Sequence, residues 1–354
     1  VRTKSIWRLH SWLGLVAGVP LFVIAASGSL LVYKDSLNAL LMPERVLVEP
    51  SGEGRRGLDA LLGRVERALP EHEVVGWTIH EAPGRADWIY VVERGESEWE
   101  LAYLDPYSGA LLSEPASLDA SFTGWLLDLH YTLLAGPVGM AVSAAVAVAL
   151  VALGVTGLLV YRRFWKSLFR MRWRSGARVL AGNLHKRIGA VSAPVFLTLG
   201  VTGAYWNIAE VVHETEHALE GKADPVMRGR YYADSISLEE LRRRSVERVE
   251  RFELTYVLFP YEKGRPFTLY GRLDGQSVFR SRYNSRVSFD AQSGERLGHA
   301  KISEQSVARQ AIDAFEPLHF GTFGGPASKA VWCVLGFAPG VLALSGFFVR
   351  WKRR

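Results

Sequence analysis

Residues Trp7–Tyr33 read WRLHSWLGLVAGVPLFVIAASGSLLVY. From Leu13 onward the run carries no charged side chain until Lys34. A helix needs about 20 apolar residues to cross a hydrocarbon core, so this stretch reads as a membrane helix with a titratable imidazole, His10, at its doorway. Three more stretches share that character: Tyr131–Tyr161, Ile188–Ala209 and Ala330–Val349. The sequence therefore predicts four transmembrane helices. Trp7, Trp12, Trp165, Trp173 and Trp351 stand at their ends, as an interfacial aromatic belt does. The first apolar run is too long for a cleaved signal peptide and continues into Tyr33-Lys34-Asp35, so a retained signal anchor is expected.

Charge orients these helices. Residues 1–11 hold Arg2, Lys4 and Arg8 and no acid, the link 162–187 holds nine Lys/Arg and no acid, and the C-terminus closes on Arg350, Lys352, Arg353 and Arg354. All 36 acidic residues lie in 34–129 and 209–328. By the positive-inside rule both termini and the basic link are cytoplasmic, and the acidic stretches face outward, the periplasm in a Gram-negative cell. The expected order is a tail and first helix (1–33), an outer domain (34–129), a second helix (130–161), the basic link (162–187), a third helix (188–209), a second outer domain (210–328), and a fourth helix with its basic tail (329–354). The net charge of +6 sums a basic cytoplasmic face and acidic outer domains, so it does not indicate nucleic-acid binding. One cysteine, Cys333, excludes disulfides, Cys-rich zinc sites, iron–sulfur clusters and covalent haem attachment.

The chain also repeats itself. RLHSWLGLVAGVPLFVIAASGSLLVY parallels NLHKRIGAVSAPVFLTLGVTGAYWN: His10 precedes Gly28 by 18 positions, and His185 precedes Gly203 by 18. LHYTLLAGPVG, from Leu129, parallels LHFGTFGGPAS, from Leu318, and His130–Gly157 and His319–Gly346 both span 27 positions. Outside the membrane, YLDPYSGALL (Tyr103–Leu112) parallels SFDAQSGERL (Ser288–Leu297), each a strand, a Ser-Gly turn and a strand continuation. Each follows an amphipathic helix. One carries Leu58, Leu61, Leu62, Val65 and Leu69 at helical spacing, and the other opens on a capping-box pattern, Ser237 to Glu240. The expected fold is an α-helical membrane protein of four transmembrane helices, duplicated about a pseudo-twofold axis along the membrane normal, with two small α+β outer domains.

Four of nine histidines mark the repeat: His10, His130, His185 and His319. Topology places His10 with His185 on the cytoplasmic side and His130 with His319 on the outer side. Ionisable groups at the edge of a membrane mark function. Zinc takes about four ligands, and no Cys, Asp or Glu stands beside either pair. Haem supplies four nitrogens and needs two axial ligands, which fits two imidazoles. Ser27-Gly28, Thr156-Gly157, Thr202-Gly203 and Ser345-Gly346 lie deep in the helices. Such small residues let a flat macrocycle approach, or let two helices pack closely. Arg8, Lys186 and Arg187 are placed to pair with haem propionates or to anchor helix ends.

The motifs WRLHSWLGLVAGVPLFVIAASGSLLVYKD, LHYTLLAGPVG, LHKRIGAVSAPVFLTLGVTG and PLHFGTFGG resemble the PepSY-associated transmembrane family, and LDPYSGALL and FDAQSGERL resemble the ends of its PepSY modules. The resemblance covers essentially the whole chain. Similar members include iron-regulated inner-membrane proteins and ferric-siderophore reductases. Likeness to the reductases implies two b-type haems and electron transfer across the inner membrane to a ferric siderophore. It carries onto His10 and His185 as ligands of a cytoplasmic-side haem, and onto His130 and His319 as ligands of a periplasmic-side haem. Some relatives append a flavin reductase domain. This sequence stops at Arg354, so a separate cytoplasmic electron donor is expected.

Competing readings remain open. HETEH at His213–His217 matches H-E-x-x-H, with Glu214 as general base and Glu239 or Glu240 as a third zinc ligand, the pattern of a membrane-anchored zinc protease. His213 also stands where it could replace an outer haem ligand. PepSY modules resemble protease propeptides, so a non-redox protein that binds a peptidase or peptide is another reading. His72, His80 and His299 stand alone, and no phosphate-binding loop or nucleophile elbow is present.

Overall fold

The computed structural model describes residues 2–52, 54–80, 82–163, 168, 176–221 and 225–351. Trp165, Trp173 and most of the basic link lie outside the described residues, as do Lys352, Arg353, Arg354 and the side chains of Arg2 and Trp351. The chain folds into two compact units. One comprises Val1–Lys34, Phe122–Lys222 and Glu316–Arg354, the other Asp35–Ser121 and Ala223–Phe315. Helices and strands are numbered along the sequence.

The first unit is helical: α1 (Arg2–Val16), α2 (Gly18–Leu31), α6 (Phe122–Thr132), α7 (Gly136–Val160), α8 (Ala177–Glu220), α11 (Phe315–Phe320), α12 (Gly325–Gly336) and α13 (Ala338–Trp351). Among the described residues, three helical stretches are long and apolar enough to cross a membrane: Gly136–Val160, Ala177–Glu220 and Gly325–Arg350. The first predicted span differs. It is a pair, Lys4–Val16 and Gly18–Leu31, bent by 67°. Pro20 has no N–H for the Val16 carbonyl four residues before it, and the helix breaks here and restarts at Gly18, whereas α8 runs on through Pro194. Val138, Val148, Leu159, Val201, Leu344 and Phe347 are exposed, a surface that lipid covers and water would not tolerate at this extent. Small residues let α7 and α8 meet closely. A Cβ on Gly200 would lie 2.9 Å from Val151 and 3.3 Å from the Ala147 carbonyl.

The second unit carries α3 (Lys34–Leu41), α4 (Pro43–Val46), α5 (Leu58–Ala68), α9 (Leu238–Arg248) and α10 (Val307–Asp313). Its strands are β1 (His72–Thr78), β2 (Asp87–Glu93), β3 (Glu100–Leu104), β4 (Ala116–Ser117), β5 (Phe252–Leu258), β6 (Phe267–Leu273), β7 (Ser285–Phe289) and β8 (Arg296–Ala300). Where two small α+β domains are expected over 34–129 and 210–328, all eight strands form one antiparallel sheet in the order β4-β3-β2-β1-β5-β6-β7-β8. The order runs outward in both directions from the β1–β5 pair. Both expected Ser-Gly turns are present. Asp105 Oδ1 accepts from the Tyr107 N–H at 2.8 Å, Asp290 Oδ1 accepts from the Ser293 N–H at 2.8 Å, and Gly109 and Gly294 take positive φ.

The core packs the apolar faces of α5 and α9 against the sheet, with Leu61, Leu241, Trp77, Ile89, Phe259, Phe267 and Phe289 nearly or fully sequestered. Trp77 keeps a polar partner there: its Nε1–H donates to Asp87 Oδ2 at 2.9 Å, and Arg55 holds the same oxygen at 2.5 Å. The two helices cap one another. The Leu58 N–H at the start of α5 donates to Glu239 Oε1 at 2.8 Å, and the Leu238 N–H at the start of α9 donates to Asp59 Oδ1 at 2.6 Å. Each carboxylate also sits at the positive end of the other helix. Ser237 caps Glu240 as expected, at 3.1 Å, whereas the Glu240 carboxylate turns to Arg243 and Arg244 and does not close the box.

Candidate metal centres

Each repeat-marking histidine enters from its own element. His10 lies within α1, and His185 lies in the third turn of α8. His130 and His319 sit on the short helices α6 and α11, which end before α7 and α12 begin. The breaks are sharp: Leu133 and Leu134 take φ of 54° and 58°, and Gly321 takes 66°. The structure brings the four rings together two by two. His10 and His185 stand with ring centroids 6.2 Å apart and planes at 89°, and His130 and His319 stand 6.3 Å apart with planes at 62°.

The deep Ser/Thr-Gly dipeptides receive these rings. His10 Nδ1 meets Thr156 Oγ1 at 2.9 Å, His185 Nδ1 meets Ser345 Oγ at 2.9 Å, His319 Nδ1 meets Thr202 Oγ1 at 2.7 Å, and His130 Nδ1 meets Ser27 Oγ at 3.2 Å. The following glycine makes room for the ring. A Cβ on Gly157 would lie 3.2 Å from His10 Cε1, one on Gly346 3.3 Å from His185 Cε1, and one on Gly203 3.5 Å from His319 Cε1. On Gly28 it would overlap the His130 ring outright. Close helix–helix packing and approach of a macrocycle were the two sequence readings of these glycines. The contact they make is with the imidazoles themselves, across helices.

This geometry suits a metal between each pair. A single metal bonded to one nitrogen of each ring at about 2.0–2.1 Å would allow centroids up to about 6.3 Å apart, so each pair is close enough to share one metal. Metal-bound imidazoles donate their other ring N–H to a nearby acceptor, the position that the four hydroxyls hold. Among the described residues no third Cys, Asp or Glu joins either pair, a donor set that would suit haem, which brings four nitrogens of its own, better than a bare ion.

The surroundings of the two pairs differ. Trp206 packs edge-on against His319, with centroids 5.0 Å apart, and stacks on Phe320 at 5.9 Å. Beside His10, Arg350 donates to Ser11 Oγ at 2.8 Å and lies over the Trp12 ring. Arg187 is held by backbone carbonyls of Leu168 and Asn183 at 2.9 and 3.0 Å, the anchoring arrangement. Trp206 and the histidine–hydroxyl pairing carry no periodicity or spacing signal in the sequence, and Arg350 is legible there only as part of the basic C-terminal tail.

The competing motif is less complete. His213 and His217 lie 4.4 Å apart on α8 as i, i+4 neighbours. Among the described residues, no group of three or more His, Cys, Asp or Glu could hold a metal ion, so His213 and His217 have no third ligand there with which to build a zinc site. Glu239 and Glu240, the expected third ligands, are engaged by Arg242, Arg243, Arg244 and the Leu58 N–H. His72 pairs with Glu100 at 3.2 Å, His80 packs against Trp88, and His299 lies beside Arg296.

Residues 7–354 match the family described as PepSY-associated TM region. The uncharacterized protein PA4219 of Pseudomonas aeruginosa is 26% identical over 261 residues, a match that covers 65% of this chain and 63% of that protein.

Proposed function

The chain belongs to the PepSY-associated transmembrane family, and from that premise we propose that it is an inner-membrane oxidoreductase. In this reading it is a di-haem b protein that passes electrons from a separate cytoplasmic donor to a periplasmic acceptor, most specifically the iron of a ferric siderophore. The observation that carries the reading is the pair of imidazole pairs at 6.2 and 6.3 Å, each ring backed at Nδ1 by a hydroxyl on a neighbouring helix.

His10 and His185 would hold the cytoplasmic-side haem, and His130 and His319 the periplasmic-side haem. Bound haem supplies reversible one-electron chemistry, with a potential tuned by axial ligands, burial and hydrogen bonding. The chain's own residues fix and orient the imidazoles and surround them with apolar helix; no side chain needs to act as acid or base. His185 and Thr202, which meets His319, lie on the same helix α8, about 25 Å apart along its axis. Ferric siderophore iron is the substrate, and its reduction weakens binding because hard oxygen ligands favour the higher charge. The reading takes the bent α1–α2 pair as one of four spans, with both termini cytoplasmic by the positive-inside rule and the two halves related by a pseudo-twofold axis along the membrane normal.

The deciding experiment is a visible spectrum of the purified chain, oxidised and dithionite-reduced, with haem counted per chain after haem-supplemented expression. Two b-type haems with bis-histidine bands support the conduit. A colourless protein overturns it and favours the non-redox reading, in which the sheet unit binds a peptidase or peptide.

A further inference from the structure

The four hydroxyls that meet the imidazoles have already committed their own protons. Ser27 Oγ–H donates to the Val23 carbonyl at 2.8 Å, Thr156 Oγ1–H to Ala152 at 2.6 Å, Thr202 Oγ1–H to Thr198 at 2.8 Å, and Ser345 Oγ–H to Leu342 at 3.1 Å. These are the back-bonds to the preceding turn that Ser and Thr make inside membrane helices. A hydroxyl has one proton and two lone pairs. Toward the imidazole, therefore, each oxygen is an acceptor, and the ring nitrogen facing it must carry the hydrogen. That nitrogen is Nδ1 in all four cases.

Backbone carbonyls, which can only accept, point the same way. The Ile24 carbonyl lies 2.9 Å from His130 Nδ1. His10 and His185 are likewise hydrogen-bonded to the backbone of Leu153 and Leu342. Each carbonyl belongs to the residue three before the hydroxyl. The same local unit, a carbonyl, a hydroxyl one turn later and then a glycine, thus recurs on α2, α7 and α13. On α8 the hydroxyl and glycine recur, and Thr202 makes the shortest of the four hydroxyl contacts.

We propose that Thr156, Ser345, Ser27 and Thr202 are positioning residues that lock His10, His185, His130 and His319 in the Nδ1–H tautomer. The lone pair of each Nε2 is then presented to the metal, and the hydroxyls set the redox potential of the centre. This rests on the haem reading above. The direction of the effect follows from electron density. An acceptor on Nδ1–H draws the proton away from the ring and makes Nε2 a stronger donor, which favours ferric over ferrous iron. Without the acceptor, the ferrous state gains and the potential rises.

The test uses Thr202→Val in the full-length, haem-loaded chain, because valine keeps the shape and removes the acceptor. Redox titration should show one of two midpoint potentials raised by about a tenfold change in ferric-over-ferrous preference, which is about 59 mV for a one-electron couple, with both haems retained. Thr202→Ser, which restores the hydroxyl, should return it to the wild-type value. Both haems present and both potentials unchanged in Thr202→Val would overturn the proposal while leaving the haem reading intact. If Thr202→Val does not fold, or wild type purifies without haem, nitrogen-15 histidine NMR of the haem-free wild-type chain decides. Hydrogens on Nδ1 at the four histidines support the tautomer lock, and hydrogens on Nε2 overturn it. A haem-free wild type that resists loading overturns the haem reading separately.

Discussion

The His10/His185 and His130/His319 pairs are built from the same parts and delivered differently. In the first, both rings project from long helices, their hydroxyl contacts are equal at 2.9 Å, and the ring planes are nearly perpendicular. In the second, both rings ride on short helices stopped by left-handed residues, the hydroxyl contacts split to 2.7 and 3.2 Å, and Trp206 presses on one ring. The ring separations nonetheless agree within 0.1 Å, 6.2 against 6.3 Å. The same separation is thus reached with unlike carrying elements and with hydroxyl–glycine receptacles of unequal fit.

That comparison can be broken at several depths. The largest effect is expected from the ligands. His130→Ala or His319→Ala should lose one haem of two and leave the centre at His10/His185, and His10→Ala or His185→Ala should do the reverse. Pyridine haemochrome counts read this directly, and two haems retained in any of the four variants would break the pairing. His213→Ala should leave the count unchanged.

Next come the glycines, where the receptacles are unequal. Gly28→Ala places a methyl group inside the His130 ring and should empty or strongly distort that centre. Gly203→Ala places it 3.5 Å from His319, an ordinary contact, and should be tolerated. Equal haem loss in the two variants would show that the glycines serve helix packing and not the rings.

A fifth imidazole supplies a contrast of different size. His80, in the sheet unit, has a buried Nε2 with no hydrogen-bond partner among the described residues. Burial first, then Arg282, with Arg85 and Arg55 adding and Asp35 opposing, holds its pKa at about 4. The unfolded chain takes up this proton near pH 6.5 and the folded chain only near 4. Its contribution is therefore complete above pH 6.5 and lost as pH falls to 4, by up to about 3 kcal/mol. Unfolding of the purified chain monitored from pH 7 to 4 should show this slope, and His80→Gln should flatten it. The smallest effect belongs to Trp206→Leu. It should move only the potential of the His130/His319 centre, by less than the removal of the Thr202 hydroxyl does.

Much of this architecture was legible in the sequence because it is written in local spacing. Four charge-free runs located the apolar helices, and the Leu-His and Ser/Thr-Gly positions recur at fixed intervals. The Ser-Gly turns and the Ser237 cap were legible for the same reason. Contacts between distant segments were not. That Ser27 receives His130 and that Thr156 receives His10 depends on which helices neighbour one another, and linear spacing is silent on that. The union of eight strands in one sheet turns on the β1–β5 pairing, between stretches about 180 residues apart. The exchange of caps between Asp59 and Glu239 is long-range for the same reason. The bend after Val16 could have been read from Pro20, but the composition of that run reads as a single span.

Because α8 runs unbroken through Ala177–Glu220 and carries both His185 and Thr202, it acts as a ruler graduated in residues. Inserting one residue between them would add about 1.5 Å and swing Thr202 through about 100° away from His319. Inserting seven would nearly restore the bearing but lengthen the interval by about 10 Å. The interval between His185 and Thr202 is therefore set by counting and protected by angle. This stretch of the chain can exchange side chains far more freely than it can change length.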